Sequence, residues 1–210
     1  MARKFALTLG EFNRIYQVIH GTIASETRAE KGCVFFAIAG AYILETHFGI
    51  RAKPVAGGFV LRISKDAECI GYAKEVDGAW SWGDDAFHMW VQTDEHVIDF
   101  MSPIYQEAFA EAEPKVAIPR RMFQKRFDLE AQNPNDLECL GDFFTFPDPD
   151  LSAELGNVFL EQLGNSDLVE IAERWFGSRR RKQRPSIRMA ASDGAIVDLK
   201  LPSTVATSAW

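Results

Sequence analysis

The chain is 210 residues long, which fits one domain with a substantial core. Hydrophobic residues make up 47% and charged residues 25%, and the 16 Phe and 5 Trp argue against disorder. A formal net charge of -7 gives no electrostatic reason to expect a nucleic acid or an anionic membrane as a partner.

The apolar stretches are short. Glu11 and Asn13 interrupt the one near the N-terminus, which is too short for a secretory signal. The longest, residues 34–44, is too short to span a membrane. The three cysteines lack the spacing of a disulfide framework or a metal-binding pair: Cys33, Cys69 and Cys139. We therefore expect a cytoplasmic protein without a metal or other cofactor.

Two helices are predicted first in the chain. Thr8 and Glu11 have capping-box spacing, and one apolar face follows, formed by Phe12, Ile15, Tyr16, Ile19 and Ile23. Residues 33–48 are apolar on nearly all sides, which places this second helix at the centre of the domain. Its small residues allow another backbone to approach closely, and Gly49 suits the position after the helix end.

Strand patterns follow. Residues 52–63 predict a strand with a bulge or kink at Gly57-Gly58, and residues 69–76 a weaker strand before a turn at Asp77-Gly78. Residues 87–92 and 96–101 predict a hairpin. The segment 109–149 is irregular, with a strand or short helix at about 120–129. Helices at 152–163 and 166–176 and a hairpin turning at 192–194 complete the prediction.

The predicted hairpin contains a candidate catalytic pair, His88 and Asp99. If an even-numbered loop over Thr93-Asp94 closes it, His88 lies directly opposite Asp99 on the same sheet face. A carboxylate there fixes the tautomer of the imidazole and raises its basicity. An odd-numbered loop would place Met89 opposite Asp99 instead. Trp90 shares the face of His88 and would shield the pair from water.

Cys33 is the candidate nucleophile. It stands at the predicted start of the central helix, where the helix N-terminus and a neighbouring imidazolium favour the thiolate. Gly32 would let the chain turn and a substrate backbone approach, and the Cys33 N–H would face an oxyanion. The structural alternative is that Cys33 is inert core, because free cysteines are often buried.

The other cysteines and histidines have no such context. Cys69 and Cys139 are expected to be small buried hydrophobes. His47 is expected near a helix C-terminus, and His96 is expected in solvent beside the turn.

These features together resemble the core of transglutaminase-like proteins, a branch of the papain-like cysteine superfamily. The matching segments are Cys33 with its apolar helix, Gly49-Ile50-Arg51-Ala52, Val55-Ala56-Gly57, His88-Met89-Trp90 and Asp99. The order Cys, His, Asp is shared with arylamine N-acetyltransferases and lasso-peptide maturation proteases. The Cys-Val-Phe-Phe helix and residues 99–103 also resemble a bacterial transglutaminase-like family without an assigned reaction.

The resemblance covers residues 30–103. It implies an α+β fold of papain/transglutaminase-like type, with the cysteine at the N-terminus of a central buried helix packed on an antiparallel sheet. It also implies one domain over residues 1–210, with a catalytic core at about 30–103 and a helical and hairpin extension at 150–210. The family's side-chain oxyanion donor has no clear match here, and Gln17 takes that role only if the first helix packs beside Cys33.

The sequence thus predicts a thiol-dependent hydrolase or acyltransferase that attacks an amide or ester bond through Cys33, His88 and Asp99. The substrate would be a peptide, an amide or an acyl small molecule, and the predicted substrate-binding residues are Trp90, Gly32 and Gln17. Hydrolysis is favoured because nothing resembles an acyl-CoA site. The alternatives are a binding module that keeps the fold without turnover, and a nucleic-acid partner for the basic run at 179–184.

Overall fold

The computed structural model describes residues 5–24, 28–66, 68–76, 79–83, 86–112, 115–190 and 196–210. Within these ranges the helices are α1 (Leu9–Ile23), α2 (Cys33–Ile43), α3 (Tyr105–Ala108), α4 (Pro149–Glu161) and α5 (Leu163–Phe176). The strands are β1 (Ala52–Arg62), β2 (Cys69–Tyr72), β3 (Lys74–Val76), β4 (Ala79–Ser81), β5 (His88–Thr93), β6 (His96–Asp99), β7 (Arg121–Arg126), β8 (Phe143–Pro147), β9 (Ser186–Ala190), β10 (Ile196–Lys200) and β11 (Ser208–Ala209). None of these helices is long and apolar enough to cross a membrane.

A seven-stranded sheet forms the centre of this α+β fold. Its strand order is β11-β7-β6-β5-β1-β2, and β8 also pairs with β1. The expected antiparallel sheet needs one correction, because β11 runs parallel to β7 and makes the sheet mixed. Two further pairs, β3-β4 and β9-β10, form small separate sheets. The β9-β10 pair confirms the last predicted hairpin, whereas its turn at 192–194 and the Asp77-Gly78 turn lie outside the described residues.

Helix α1 confirms the predicted capping box. The Glu11 backbone N–H donates to Thr8 Oγ1 at 3.2 Å, and the Thr8 N–H donates to Glu11 Oε2 at 3.0 Å. These bonds satisfy two backbone donors at the point where the helix begins. The predicted apolar face is buried against the rest of the core.

Helix α2 lies in the middle of the domain, as its all-round apolar sequence indicates. It packs on β1 and β5, and α1, α4 and α5 surround it. Gly40 permits this close approach, because a Cβ there would lie 2.4 Å from a ring carbon of Phe100. After Ile43 the helix continues as a π-helical turn, Leu44–Phe48, and it ends at Gly49 with a φ of 64°.

The long strand β1 changes partner near its glycine pair. Residues 52–57 pair with β5, and residues 59–62 pair with β2. Gly57 has a φ of 154°, and a Cβ there would lie 1.8 Å from the Phe146 carbonyl oxygen in β8, so only glycine fits. The predicted bulge or kink at Gly57-Gly58 therefore falls where the partner changes. This exchange brings the end of β2 next to the start of β5.

The C-terminal half contains strands that the sequence pattern does not show. Near 120–129, where a strand or a short helix was predicted, residues 121–126 form strand β7 and a helical turn at Phe127–Leu129 follows it. Strand β8 and edge strand β11 were not predicted. The two late helices are confirmed, with α4 starting earlier than expected because the Asp148 side chain caps it by accepting from the Leu151 N–H at 3.0 Å.

Candidate active site

The three predicted triad residues lie together where α2 meets the sheet. Cys33 is the first residue of α2, His88 begins β5 and Asp99 ends β6. The Cys33 thiol lies close enough to the His88 imidazole to contribute to the raised pKa of that ring. Cys33 retains 9% exposure, whereas His88 and Asp99 are sealed at 0% and 1%. Cys33 is therefore the least enclosed member of the triad.

Asp99 is held by three donors. His88 Nε2 donates to Asp99 Oδ2 at 2.6 Å, the Tyr105 hydroxyl donates to the same oxygen, and the Met101 N–H donates to Oδ1 at 2.8 Å. These bonds fix the orientation of the carboxylate, which in turn places the proton of neutral His88 on Nε2. The other ring nitrogen, Nδ1, makes no hydrogen bond of ordinary geometry within the described ranges. Nδ1 is thus the nitrogen left to take the proton of Cys33.

The hairpin register differs from the prediction by two residues. Val91 pairs with Ile98 and Gln92 with Val97, so Asp99 and His88 are diagonal neighbours instead of directly opposed ones. The loop is Asp94-Glu95, between the end of β5 at Thr93 and the start of β6 at His96. Thr93 Oγ1 accepts from the backbone N–H of His96 at 2.9 Å, which tightens the turn. The loop is still even-numbered, so His88 and Asp99 keep the same sheet face.

Opposing effects set the charge of His88. Burial lowers the pKa of its imidazole, but the charge and hydrogen bond of Asp99, joined by those of Cys33, outweigh burial and raise this pKa to about 9. At neutral pH the ring is then an imidazolium beside the Asp99 carboxylate. Such a cation favours ionisation of a neighbouring thiol.

This raised pKa predicts a pH dependence of stability. The pKa of His88 is about 6.5 when unfolded and about 9 when folded, so its contribution is complete below pH 6.5 and is lost as the pH rises through 9. The free energy of unfolding of the wild type should fall relative to that of His88→Gln by about 2–3 kcal/mol over this window. Urea unfolding at several pH values measures the difference, and a constant difference would contradict the assigned His88 charge.

Aromatic rings enclose the imidazole, and sequence reasoning missed two of them. The Tyr72 ring stacks on His88 with centroids 4.2 Å apart at 14°, and the Phe59 centroid lies 5.5 Å away. Tyr105, the third neighbour, is fully buried and bonded to Asp99. Tyr72 lies far from the His-x-Trp segment in sequence, and no local pattern marks it. Tyr105 had one usable signal, because it follows the 99–103 segment that resembled a family motif.

The three predicted substrate-binding residues have structural contacts instead. Trp90 is 1% exposed, so it offers no surface to a substrate. A Cβ on Gly32 would lie 2.8 Å from Ile23 Cδ1, so helix packing explains this glycine. The Gln17 amide donates to the Pro202 carbonyl oxygen at 2.9 Å. Gln17 therefore ties α1 to the C-terminal segment and is not the oxyanion donor.

Other expectations also need correction. His96 is buried at 4% exposure, because β6 lies between β5 and β7. Cys69 and Cys139 are exposed and are not buried hydrophobes.

In the basic run, Arg179 forms an ion pair with Glu11 at 2.5 Å. Among the described residues, no group of three His, Cys, Asp or Glu side chains is arranged to hold a metal ion.

His47 is the second histidine paired with a carboxylate. It lies near the C-terminal end of the central helix, as expected, and its Nε2 is 2.7 Å from Glu173 Oε1. Cys33 stands 14 positions earlier, about 20 Å away along the helix. This pair therefore lies outside the candidate site.

A cavity of about 280 Å³ lies beside the aromatic rings. Its lining is mostly apolar: Glu68, Cys69, Ile70, Gly71, Phe109, Ala112, Val116 and Ile118. The Phe109 ring contacts Tyr72 with centroids 4.9 Å apart, and Tyr72 stacks on His88. One side chain, Tyr72, therefore separates the cavity wall from the imidazole.

Comparison with known proteins gives a family and a solved structure. A family model described as "Protein of unknown function (DUF2026)" matches residues 8–210. A solved structure titled "The crystal structure of genomics APC5867" is 27% identical, with a TM-score of 0.86 over 100% of this chain and 99% of that one. No curated protein matches.

Proposed function

The chain belongs to this family of proteins of unknown function, and from its site we propose that it is a thiol-dependent hydrolase or acyltransferase of transglutaminase-like type. One observation carries the proposal: Cys33, His88 and Asp99 are adjacent, in this order of contact, at the N-terminus of a central helix. A cysteine at a helix start beside an imidazole held by a carboxylate is the arrangement that activates a thiol.

The proposed reaction uses an amide or ester bond. In the proposed reactive state His88 Nδ1 holds the Cys33 proton, so an imidazolium faces a thiolate, and the sulfur attacks the carbonyl carbon to form a tetrahedral intermediate. The imidazolium then gives its proton to the departing nitrogen or oxygen, which leaves a thioester on Cys33. Water or an amine then loses a proton to His88 as it attacks the thioester, and release of the acyl group restores the thiolate and the imidazolium. The apolar cavity near Tyr72 favours an apolar acyl group.

A second candidate is a binding module without turnover, and the burial of the triad favours it. Only 9% of Cys33 is exposed, and aromatic rings cover His88. A substrate carbonyl must reach the sulfur for the first proposal to hold. The two functions therefore differ in one measurable property, the acylation of Cys33.

We expect 4-nitrophenyl acetate to acylate the wild type with a rapid release of about one equivalent of 4-nitrophenolate at pH 7. Cys33→Ser should abolish this burst, because it removes the nucleophilic sulfur. The exposed cysteines supply the matched control, so the Cys69→Ser/Cys139→Ser double variant should keep the full burst. Stopped-flow absorbance measures all three. A wild type without a Cys33-dependent burst would favour the binding module.

A further inference from the structure

The Tyr72 hydroxyl is an unsatisfied polar group at the proposed active site. It is shielded from solvent and has no hydrogen-bond partner among the described residues. An unpaired buried hydroxyl costs stability, so its retention needs an explanation. The Tyr105 hydroxyl, on the other side of His88, is satisfied by Asp99. The two tyrosines at the site therefore have different roles.

Strand pairing places Tyr72 beside the His88 imidazole. Tyr72 pairs with Phe59 and His88 pairs with Gly57, so the two rings lie two positions apart along β1 and on the same face. The near-parallel stacking at 4.2 Å fixes the phenol against the imidazole. The Cys33 sulfur borders the same imidazole and acts electrostatically on the phenol.

We propose that the Tyr72 hydroxyl is the side-chain donor to the oxyanion formed when Cys33 adds to a carbonyl. This inference rests on the proposed function and supplies the donor that Gln17 does not provide. As the sulfur–carbon bond forms, the carbonyl π electrons move to oxygen, which accepts hydrogen bonds from Tyr72 and from the Cys33 backbone N–H. Cys33 is the first residue of α2, so its backbone N–H has no acceptor within the helix. Tyr72 keeps its proton throughout, and the carbonyl re-forms when the leaving group departs with the proton from His88.

The ionisation of Tyr72 agrees with a donor role. Burial first, and then the negative charges of Asp99 and Cys33, raise the pKa of the phenol well above its ordinary value. The hydroxyl therefore stays protonated over the whole range in which the thiol chemistry would operate. A donor of this kind stabilises charge that develops in the transition state only.

Tyr72→Phe is the test, because it keeps the stacked ring and removes only the hydroxyl. We expect acylation by 4-nitrophenyl acetate to slow by about 10²-fold, the usual effect of losing one oxyanion donor. Alkylation of Cys33 by iodoacetamide forms no oxyanion and should change by less than about twofold. Tyr42→Phe, at a tyrosine 43% exposed on α2, is the matched control and should change neither rate. The urea midpoint of Tyr72→Phe should be unchanged or higher.

Each outcome of this test has a definite meaning. Acylation as fast as in the wild type would overturn the role of Tyr72 and leave the proposed function standing. Equal losses in acylation and alkylation would also overturn it, because they indicate a structural role for the hydroxyl. A wild type that is never acylated on Cys33 would contradict the proposed function and this inference with it.

Discussion

Replacing His88 with glutamine is expected to slow acylation of Cys33 by about 10²- to 10⁴-fold, the usual contribution of a general base. Glutamine is close in size, and its amide N–H is able to donate to Asp99 in place of Nε2. The substitution removes the second nitrogen, Nδ1, which is the proposed acceptor of the Cys33 proton. Nδ1 has no hydrogen bond of ordinary geometry within the described ranges. It also removes the cation that stabilises the thiolate, so alkylation by iodoacetamide should slow as well.

The matched control for His88→Gln is His47→Gln. His47 is also paired with a carboxylate, at 2.7 Å from Glu173, but it lies about 20 Å along the helix from Cys33. His47→Gln should leave acylation unchanged. Stopped-flow acylation of both variants measures the contrast, and equal rates for the wild type and His88→Gln would rule out His88 as the base.

Replacing Asp99 with alanine is expected to lower the free energy of unfolding by about 3–5 kcal/mol, because it leaves a buried partner without its counter-charge. The His88 ring, the Tyr105 hydroxyl and the Met101 N–H all donate to this carboxylate, and His88 and Asp99 are almost wholly buried. Asp99→Asn should lose less, because its amide keeps one oxygen acceptor. Urea unfolding at pH 7 measures both losses.

The control for Asp99→Ala is Asp198→Ala. Asp198 forms an ion pair with Arg188 at 2.8 Å, but both side chains are at least half exposed. Exposed pairs of this kind contribute little, so no measurable change is expected. Equal free energies of unfolding for Asp99→Ala and Asp198→Ala would contradict the pairing of the Asp99 carboxylate with a charged His88.

The local elements could be predicted because their signals lie within a few neighbouring residues. The capping box at Thr8 and Glu11 specifies the start of α1, and the apolar run after Cys33 specifies a central helix. The shared face of His88 and Asp99 depended only on an even-numbered loop. The loop residues themselves were wrong by one position, because the Thr93 hydroxyl bond to the His96 N–H is not visible in apolar alternation.

The remaining features depend on contacts between distant segments. Tyr72 reaches His88 only because β2 and β5 both pair with β1 around Gly57, and no sequence period encodes that junction. The prediction of Gln17 as the oxyanion donor failed for a related reason. The α1 face that approaches α2 carries Tyr16, which stacks near Phe36 at 6.2 Å, whereas the next residue points to Pro202. The burial of His96 likewise follows from β7, which covers β6 from a later part of the chain.

The location of the acyl group among the three cysteines tests the central claim most directly. The protein would be treated with 4-nitrophenyl acetate at pH 7, quenched in acid and digested, and acetylated peptides would be quantified by mass spectrometry. Cys33 is the least exposed of the three, so accessibility alone favours Cys69 and Cys139. If His88 and Asp99 activate the sulfur, the thioester will be found mainly on Cys33. Acetylation of Cys69 and Cys139 with Cys33 unmodified would contradict the account.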